Sequence, residues 1–340
     1  MKTLIIEMNE IEKSGELIRA GELVAFPTET VYGLGADAMN EVAVKKIFEA
    51  KGRPSDNPLI VHIADKNDIV KLAREINENA RRLIEAFMPG PFTVILKKQP
   101  NIPNAVTAGL DTVGIRFPEN TTAQEFIKKS ERFIAAPSAN LSGKPSPTRA
   151  CDVSADMDGR IAAIINGENC EVGVESTIVD ASGDIPVLLR PGGITIDMLR
   201  EVVPETQVDK NIMHTVKDSE QPKCPGMKYR HYAPEAQVIV VEGECKAVHD
   251  KINELLEQNS DKVMGVLTIY GNVYDKPVMI HGGSNGREYA KNLFSALRDF
   301  DKLGAEIVFA EFCERDGYDM AVKNRLYKAA GYNMIHCRER

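Results

Sequence analysis

Five polar side chains, four of which can donate hydrogen bonds to an anion, are concentrated in a short turn at residues 51–58, where the sequence reads KGRPSDNP. Lys51 and Arg53 flank a glycine, so both cations can reach a single anion. An arginine offers a planar fork of N–H donors and a lysine a compact point charge, a combination suited to polyphosphate. Ser55 and Asn57 add neutral donors. The spacing indicates an anion site, although a solvated basic turn would carry the same residues.

Two further candidates lie inside predicted strands. Arg116 interrupts the apolar run VGIRF, and a buried arginine is costly without an anionic partner. That partner is a substrate carboxylate or phosphate, or else an internal Asp or Glu, and both alternatives stay open. His62 lies in the apolar strand PLIVHIA, where a satisfied core histidine is commoner than one that binds a ligand.

Small polar residues are concentrated in three other loops, at 27–38, 136–148 and 173–195. The candidates there are hydroxyl and amide groups that suit phosphate oxygens or a polar small ligand, with one arginine at a strand end: Thr28, Ser138, Asn140, Ser146, Ser176 and Arg190. Loops at strand ends are where α/β sheets bind ligands. The composition of these loops favours charge positioning of a nucleotide over covalent catalysis, because the sequence has no Ser-His-Asp order, HExxH or Walker A motif.

Two segments imitate nucleotide-binding motifs without meeting their requirements. SGKPS resembles the end of a P-loop, but Ser138 stands where the first glycine is required and Pro145 follows the lysine. GLGADA at 33–38 matches the dinucleotide fingerprint, but it does not directly follow a predicted strand. We therefore interpret it as a tight glycine turn, with a Rossmann dehydrogenase as the weaker alternative.

The elements that position these loops are predicted from alternating strand and helix patterns. Short strands include 22–28, 58–64, 92–97, 112–117 and 176–180, with helices at 40–50 and 66–87. The many strands per helix predict an α/β fold with a twisted mixed sheet, not a simple βαβ series. Asn40 is a predicted helix cap and Gly52 a predicted helix stop.

The domain organisation is predicted as a mixed-sheet α/β domain at 1–203, a linker at 204–236 and a smaller Rossmann-like α/β domain at 237–340. The linker has no sustained hydrophobic period, and its second half, PGMKYRHYAP, is rich in aromatic and cationic residues. In the last domain, Asn285 and Glu288 form a predicted capping pair.

Composition limits the functional classes. The 340 residues include 50 acidic and 42 basic ones, a net charge of −8, and residues 1–200 carry 28 acidic and 23 basic ones. This balance argues against strong direct nucleic-acid binding, although a local basic groove stays possible. The six cysteines have neither disulfide-scaffold nor zinc-site spacing, and there is no signal-peptide core or membrane span. We expect a cytoplasmic protein that binds no membrane.

These loops together resemble the YrdC-like threonylcarbamoyl-AMP synthases, in the long form with a Rossmann-like C-terminal domain. The resemblance rests on eight segments in family order: FPTETVYGLGADA, KGRPSDNPLIVHI, PGPFTVILK, TAGLDTVGIRFP, IAAPSANLSGKPSPT, GVESTIVD, LLRPGGIT and PGMKYRHYAP. It implies a YrdC-like mixed-sheet domain around a positive cavity. It also implies that L-threonine, bicarbonate and ATP give threonylcarbamoyl-AMP and pyrophosphate, for transfer to tRNA by a partner transferase complex.

The resemblance also implies roles for individual residues. The threonine contacts would be Thr28, His62, Arg116 and Ser176, with Arg116 pairing the α-carboxylate. The ATP contacts would be Lys51, Arg53, Ser55, Thr112, Ser138, Asn140, Ser146 and Arg190, with Lys51 and Arg53 as the catalytic cations. Mg²⁺ is expected to arrive with ATP, because no carboxylate cluster marks a protein cage.

The segment at 225–234 is expected to act as a lid. Arg230, His231 and Tyr232 would touch nucleotide or carbamate, and closure would exclude water from a mixed anhydride that hydrolyses easily. Two alternatives remain besides the dehydrogenase. One is a YrdC-like module that binds double-stranded RNA or tRNA; the other is carbamoyl transfer, as in hydrogenase-maturation relatives.

Overall fold

The computed structural model describes residues 2–213, 222–225, 231–269, 271–275, 277–313 and 317–337. The chain divides into two units: the first comprises residues 1–142 and 146–229, and the second comprises residues 143–145 and 230–340.

The first unit contains one large sheet. Its described strands are β1 (Leu4–Ile6), β2 (Val24–Phe26), β3 (Gly33–Asp37), β4 (Ile60–His62), β5 (Phe92–Lys97), β6 (Thr112–Arg116), β7 (Ile134–Ala136), β8 (Ala163–Ile165), β9 (Thr177–Asp180), β10 (Val187–Arg190) and β11 (Gln207–Val208). Their order is β1-β8-β2-β3-β7-β4-β6-β5-β9-β10-β11. The sheet contains parallel pairs such as β4–β6 and antiparallel pairs such as β5–β6. The predicted mixed α/β sheet is confirmed.

Helices accompany this sheet. They are α1 (Ile11–Arg19), α2 (Glu41–Lys51), α3 (Ile69–Leu72), α4 (Glu78–Phe87), α5 (Asn104–Thr107), α6 (Thr121–Ser130), α7 (Ala150–Met157) and α8 (Ile196–Val202). Asn40 caps α2 by accepting from the backbone N–H groups of Val42 and Ala43, and Gly52 ends it at φ 60°. Both signals were predicted, and together they place Lys51 in the last turn of α2.

The predicted single helix at 66–87 is wrong in its middle. Ala73 is extended (φ −113°, ψ 141°), and the Asn77 side chain caps a new helix by accepting from the Ala80 N–H. Asparagine offers the backbone this alternative bond, so it interrupts a helix more readily than its apolar neighbours suggest.

The GLGADA segment is also different from both predictions, because Gly33–Asp37 is strand β3. A Cβ on Gly33 would lie 2.9 Å from the ring of Phe26 on the paired strand β2. The glycine therefore makes room for an aromatic ring in a core that also contains Phe126 and Ile134. It forms neither a tight turn nor a dinucleotide loop.

The second unit is a smaller α/β arrangement. Its described elements are β12 (Gln237–Gly243), α9 (Cys245–Gln258), β13 (Met264–Ile269), β14 (Val278–Gly283), α10 (Gly286–Lys302), β15 (Ile307–Phe312), α11 (Asp319–Ala329) and β16 (Met334–Cys337). The strands follow the order β14-β13-β15-β12-β16, and each neighbouring pair is parallel. A second α/β domain was predicted.

Local signals position the second unit's longest helix. Asn285 accepts from the Glu288 N–H at 2.9 Å, and the Glu288 carboxylate accepts from the Ser284 N–H at 2.8 Å, which is the predicted capping pair. Farther along α10, buried Arg298 donates to the carbonyl of Pro145 through Nε at 3.0 Å and Nη2 at 2.5 Å.

The six cysteines all lie in the described part of the chain, and none of them forms a disulfide bond. In the described part of the chain, no helix has the length and apolar character needed to cross a membrane.

Candidate functional site

A row of polar side chains crosses three strands of the first unit and reaches the residue before a fourth. Arg116 in β6 pairs with His62 in β4 on one side and with Thr93 in β5 on the other. Residues that are directly opposite in a sheet present their side chains to the same face. Ser176 immediately precedes β9, and its Oγ lies 2.8 Å from the Thr93 Oγ1. Three of the four predicted threonine contacts are thus brought to one face, all buried.

Arg116 has an internal carboxylate partner. Its Nη2 donates to Glu29 Oε1 at 2.7 Å and to Thr28 Oγ1 at 3.4 Å, and both partners are buried. The acidic alternative left open by the sequence is therefore present in the structure. The guanidinium Nε is buried without a hydrogen-bond partner among the described residues. One donor of the fork thus remains available to a ligand.

Thr28, the fourth predicted threonine contact, is fixed within its own turn. Its Oγ1 donates to the carbonyl of Val31 at 2.7 Å and accepts from the Thr30 N–H at 3.2 Å. The Thr30 hydroxyl lies 2.9 Å from the same oxygen. The turn is therefore ordered by its own side chains.

His62 is neutral in this setting. Burial, and then the nearby positive charge of Arg116, lower its pKa from 6.5 to about 3. Its Nδ1 lies 3.2 Å from the carbonyl of Ile60, and its ring meets Phe26 edge-on at a centroid distance of 5.7 Å. His62 can donate or accept a hydrogen bond at this face without adding charge.

Lys51 brings together three predicted ATP contacts. Its Nζ donates to the backbone carbonyls of Ser138 and Asn140, each at 2.6 Å, and its own carbonyl accepts from the Ser142 N–H at 2.9 Å. Ser138 Oγ donates to the Asn140 side chain at 2.6 Å. The end of α2 and the 138–142 loop therefore form one connected region.

Arg190 joins the two predicted substrate sets. It donates from Nε to the carbonyl of Ser176 and from Nη2 to the Ser176 hydroxyl, both at 3.0 Å. It also donates from Nη1 to the carbonyl of Pro225 at 3.3 Å. A predicted ATP contact, a predicted threonine contact and the start of the predicted lid therefore share one guanidinium.

An apolar pocket continues along the same face of the sheet. Ile60, Gly114 and Ile95 form the next row across β4, β6 and β5. Thr112 lies at its far end, and residues 223–225 complete the lining. Cys224 is buried against Ile60 and Ile95. The pocket thus combines a flat apolar floor, a threonine hydroxyl and the segment that follows the first unit's sheet.

The remaining predicted ATP contacts have different environments. Ser146 is buried, and its hydroxyl donates to Glu175 Oε1 at 2.5 Å. Arg53 is half-buried and Ser55 is exposed. Asn57 was noted as a donor but not among the ATP contacts; its side chain is fully buried, and neither its oxygen nor its nitrogen has a described partner. The alternating polar residues of KGRPSDNP were the sequence signal that could have identified Asn57 as a candidate ATP contact.

The predicted lid residues are only partly described. Arg230 lies outside the described residues. His231 and Tyr232 belong to the second unit, where their rings are 5.5 Å apart and Tyr232 packs against Phe294 at 5.0 Å. Their predicted contact with a substrate stays a prediction.

No group of three or more His, Cys, Asp or Glu side chains suited to a metal ion occurs within the described ranges. The donors gathered around Lys51 are hydroxyls, amides and cations, which suit phosphate oxygens better than a bare divalent ion.

Two family models match this chain. Residues 16–192 match a family model for Sua5, YciO and YrdC proteins that is described as telomere recombination, and residues 194–331 match one described as the threonylcarbamoyl-AMP synthase C-terminal domain. The threonylcarbamoyl-AMP synthase of Pyrococcus abyssi is 48% identical over 339 residues, 98% of this chain and 99% of that protein. The Bacillus subtilis protein of the same name is 46% identical, over 96% of this chain and 94% of its own length.

A solved structure extends the similarity to three dimensions. The crystal structure of P. abyssi Sua5 complexed with L-threonine superposes with a TM-score of 0.94 at 46% identity, covering 99% of this chain and all of that one.

Proposed function

Because the chain belongs to the Sua5/YrdC family of threonylcarbamoyl-AMP synthases, we propose that it condenses L-threonine, bicarbonate and ATP into threonylcarbamoyl-AMP and pyrophosphate. The observation that carries the proposal is the row formed by His62, Arg116 and Ser176, with Arg190 bonded to the same serine. An amino-acid site next to a phosphate site is what this condensation requires. The similarity to the named relatives over nearly the whole chain supports it.

Threonine would occupy the polar row. The Arg116 Nε is a buried donor suited to the α-carboxylate, and a charge-assisted bond of this kind is among the stronger ones in proteins. Thr28, His62 and Ser176 are neutral groups that can bond the hydroxyl or the nitrogen. Because His62 is neutral, it can offer threonine a hydrogen bond without adding a second positive charge beside Arg116.

ATP would extend from Lys51 and the 138–146 loop toward the apolar pocket. Its phosphates would meet the predicted contacts Lys51, Arg53, Ser55, Ser138, Asn140, Ser146 and Arg190, and we add Asn57. The base would lie near Thr112, on the floor formed by Ile60 and Ile95. Cys224 packs on that floor, so we propose that ATP entry moves residues 223–225.

The reaction needs no protein nucleophile. An oxygen of the threonine carbamate attacks the α-phosphorus, the bond to the β-phosphate bridging oxygen breaks, and pyrophosphate leaves with that oxygen. Holding both reactants in line supplies effective concentration. Lys51 and Arg53 would offset the charge that grows on the leaving group. Mg²⁺ would enter bound to ATP and be held mainly by phosphate oxygens.

The lid prediction is retained as part of the proposal. Arg190 donates to the Pro225 carbonyl, which supports a link between the start of this segment and the substrate row. Deleting residues 225–234 should lower synthesis and shorten the lifetime of the adenylate in solution. Unchanged product yield and lifetime would reject the lid.

The product suits a second enzyme that acts on tRNA. We propose that a transferase complex receives threonylcarbamoyl-AMP, and that this cytoplasmic chain does not itself hold nucleic acid strongly. The alternative of a module that binds double-stranded RNA or tRNA predicts tight, salt-sensitive tRNA binding without pyrophosphate release.

The decisive experiment measures pyrophosphate release from MgATP while L-threonine and bicarbonate are omitted one at a time. The proposed function predicts release only when both are present, together with a product of the mass of threonylcarbamoyl-AMP. Release that is independent of threonine would contradict it.

A further inference from the structure

Glu29 is a buried acid to which the proposed reaction assigns no role. Its side chain is 8% exposed, and its two carboxylate oxygens have separate partners. Oε1 accepts from Arg116 Nη2 at 2.7 Å, and Oε2 accepts from the Asn120 N–H at 3.3 Å. Its backbone carbonyl also accepts from the Val172 N–H at 2.7 Å. The carboxylate is therefore held from both sides as well as through its backbone.

This arrangement engages one N–H group of the arginine and leaves another unengaged. Nη2 bonds to Glu29 and Thr28, whereas Nε has no described partner. An arginine fork is planar and rigid, so fixing one of its nitrogens fixes the direction of the others. A buried guanidinium without an anion would also be strongly disfavoured, so Glu29 keeps Arg116 in the pocket while threonine is absent.

We propose that Glu29 is a positioning residue for the amino-acid substrate: it holds Arg116 through Nη2 so that Nε meets the threonine carboxylate. This inference rests on the proposed function. Glu29 acts through Arg116 and does not itself touch the reacting atoms. Its charge also leaves the buried pair neutral overall, which suits entry of a zwitterionic amino acid more than entry of an anion.

The test compares Glu29→Gln with Glu22→Gln in the full-length protein. Glu22 is paired with Lys46 at the surface, at 3.0 Å, so its substitution also removes one Glu–cation pair. The glutamine at position 29 keeps the size of the side chain but loses its charge. We expect the KM for threonine to rise about 10-fold in Glu29→Gln, with the KM for ATP unchanged, and neither to change in Glu22→Gln.

A double-mutant cycle then asks whether Glu29 acts through Arg116. In an Arg116→Gln background, Glu29→Gln should add no further rise in the KM or calorimetric Kd for threonine. Additive effects, equal rises in both KM values, or threonine kinetics like those of Glu22→Gln would each overturn the inference. If Glu29→Gln does not fold, Glu29→Asp replaces it, and it must likewise raise the threonine KM alone.

Failure of this inference is distinguishable from failure of the proposed function. If the wild-type protein releases no pyrophosphate with all three substrates present, the proposed function fails. Calorimetric titration of wild-type and variant proteins with threonine alone still reports on Glu29. If the wild-type protein is active and the Glu29 variant uses threonine normally, only the positioning role is lost.

Discussion

The turn at residues 27–32 and the turn at residues 51–58 both border the candidate site, but two polar side chains of the second turn differ from those of the first. In the first, Thr28 bonds within the turn and Glu29 bonds to Arg116. In the second, Asn57 is fully buried without described partners, and Ser55 is exposed. The comparison teaches that the side proposed for threonine is already organised by internal bonds, whereas part of the side proposed for ATP has polar groups that a ligand would satisfy.

Arg116→Ala should have the largest effect of the substitutions considered. It removes the guanidinium to which Glu29 and Thr28 of the 27–32 turn are bonded. We expect the KM for threonine to rise about 100-fold, since charged hydrogen bonds are lost, while the Kd for MgATP stays near the wild-type value. The variant also leaves Glu29 buried without its cation, which should lower the free energy of unfolding by about 3 kcal/mol.

Initial-rate kinetics of pyrophosphate release and calorimetry with MgATP measure the Arg116 effect. Arg81→Ala, on the exposed surface of α4, is the matched control. If the affinities for threonine and ATP fall equally, the assigned role of Arg116 is wrong.

Asn57→Leu tests the other turn. Replacing a buried amide that has no partner among the described residues by an apolar side chain of similar shape should not destabilise the protein. It should raise the free energy of unfolding by about 1 kcal/mol. The Kd for MgATP should nevertheless rise about 10-fold, because the donor and acceptor proposed for ATP are gone.

Asn77→Ala is the control for Asn57→Leu, because the opposite pattern of effects is expected from it. It removes a helix cap and should cost about 1 kcal/mol of stability without changing ATP affinity. Urea unfolding and calorimetry measure both quantities. A destabilised Asn57→Leu variant with normal ATP affinity would mean that the amide is structural.

His62 sharpens the comparison through pH. Its pKa is lowered to about 3 in the folded protein, whereas the unfolded chain takes up a proton near pH 6.5. Between pH 3 and 6.5 the unfolded state therefore binds more protons than the folded state. The free energy of unfolding consequently falls as the pH falls below 6.5. The slope from this residue is about 1.4 kcal/mol per pH unit.

Urea unfolding at pH 7.5 and 5.0 measures this effect in the wild-type protein and in His62→Gln. The variant should lose less stability between the two pH values. An identical loss in both proteins would show that His62 is not the buried neutral group described here.

Ser55→Ala should have the smallest effect. The hydroxyl is exposed, so water already competes for its bonds, and we expect the KM for ATP to change by about 2-fold at most. The same kinetic assay measures it. A rise as large as that expected for Asn57→Leu would mean that the 51–58 turn is reorganised when ATP binds.

Much of the fold could be predicted because its signals are local. Asn40, Gly52 and the Asn285–Glu288 pair mark helix ends through bonds within a few residues, and the sequence showed all of them. The strand formed by GLGADA was not predicted. Its glycines leave room for the ring of Phe26 on the neighbouring strand, and the local spacing of residues gives no sign of that contact.

Prediction of the site was limited in the same way: local features were recognised, and contacts between distant residues were not. The loops that carry its residues were recognisable, and the structure brings His62, Arg116 and Ser176 together. The pairing of Arg116 with Glu29 joins residues 87 positions apart, so the sequence could only leave the two alternatives open.

The strand order of the large sheet also has a consequence for biosynthesis. β1 pairs with β8, where Leu4 meets Ala163, and β5 pairs with β9, where Phe92 meets Thr177. At about 5–20 residues per second, a ribosome needs roughly 8–30 s to deliver β8 after β1. Throughout that interval β1 is an apolar strand without its partner, the kind of segment that chaperones hold. The residues of the 27–62 region are translated early, but the polar row stays incomplete until Ser176 has left the ribosome.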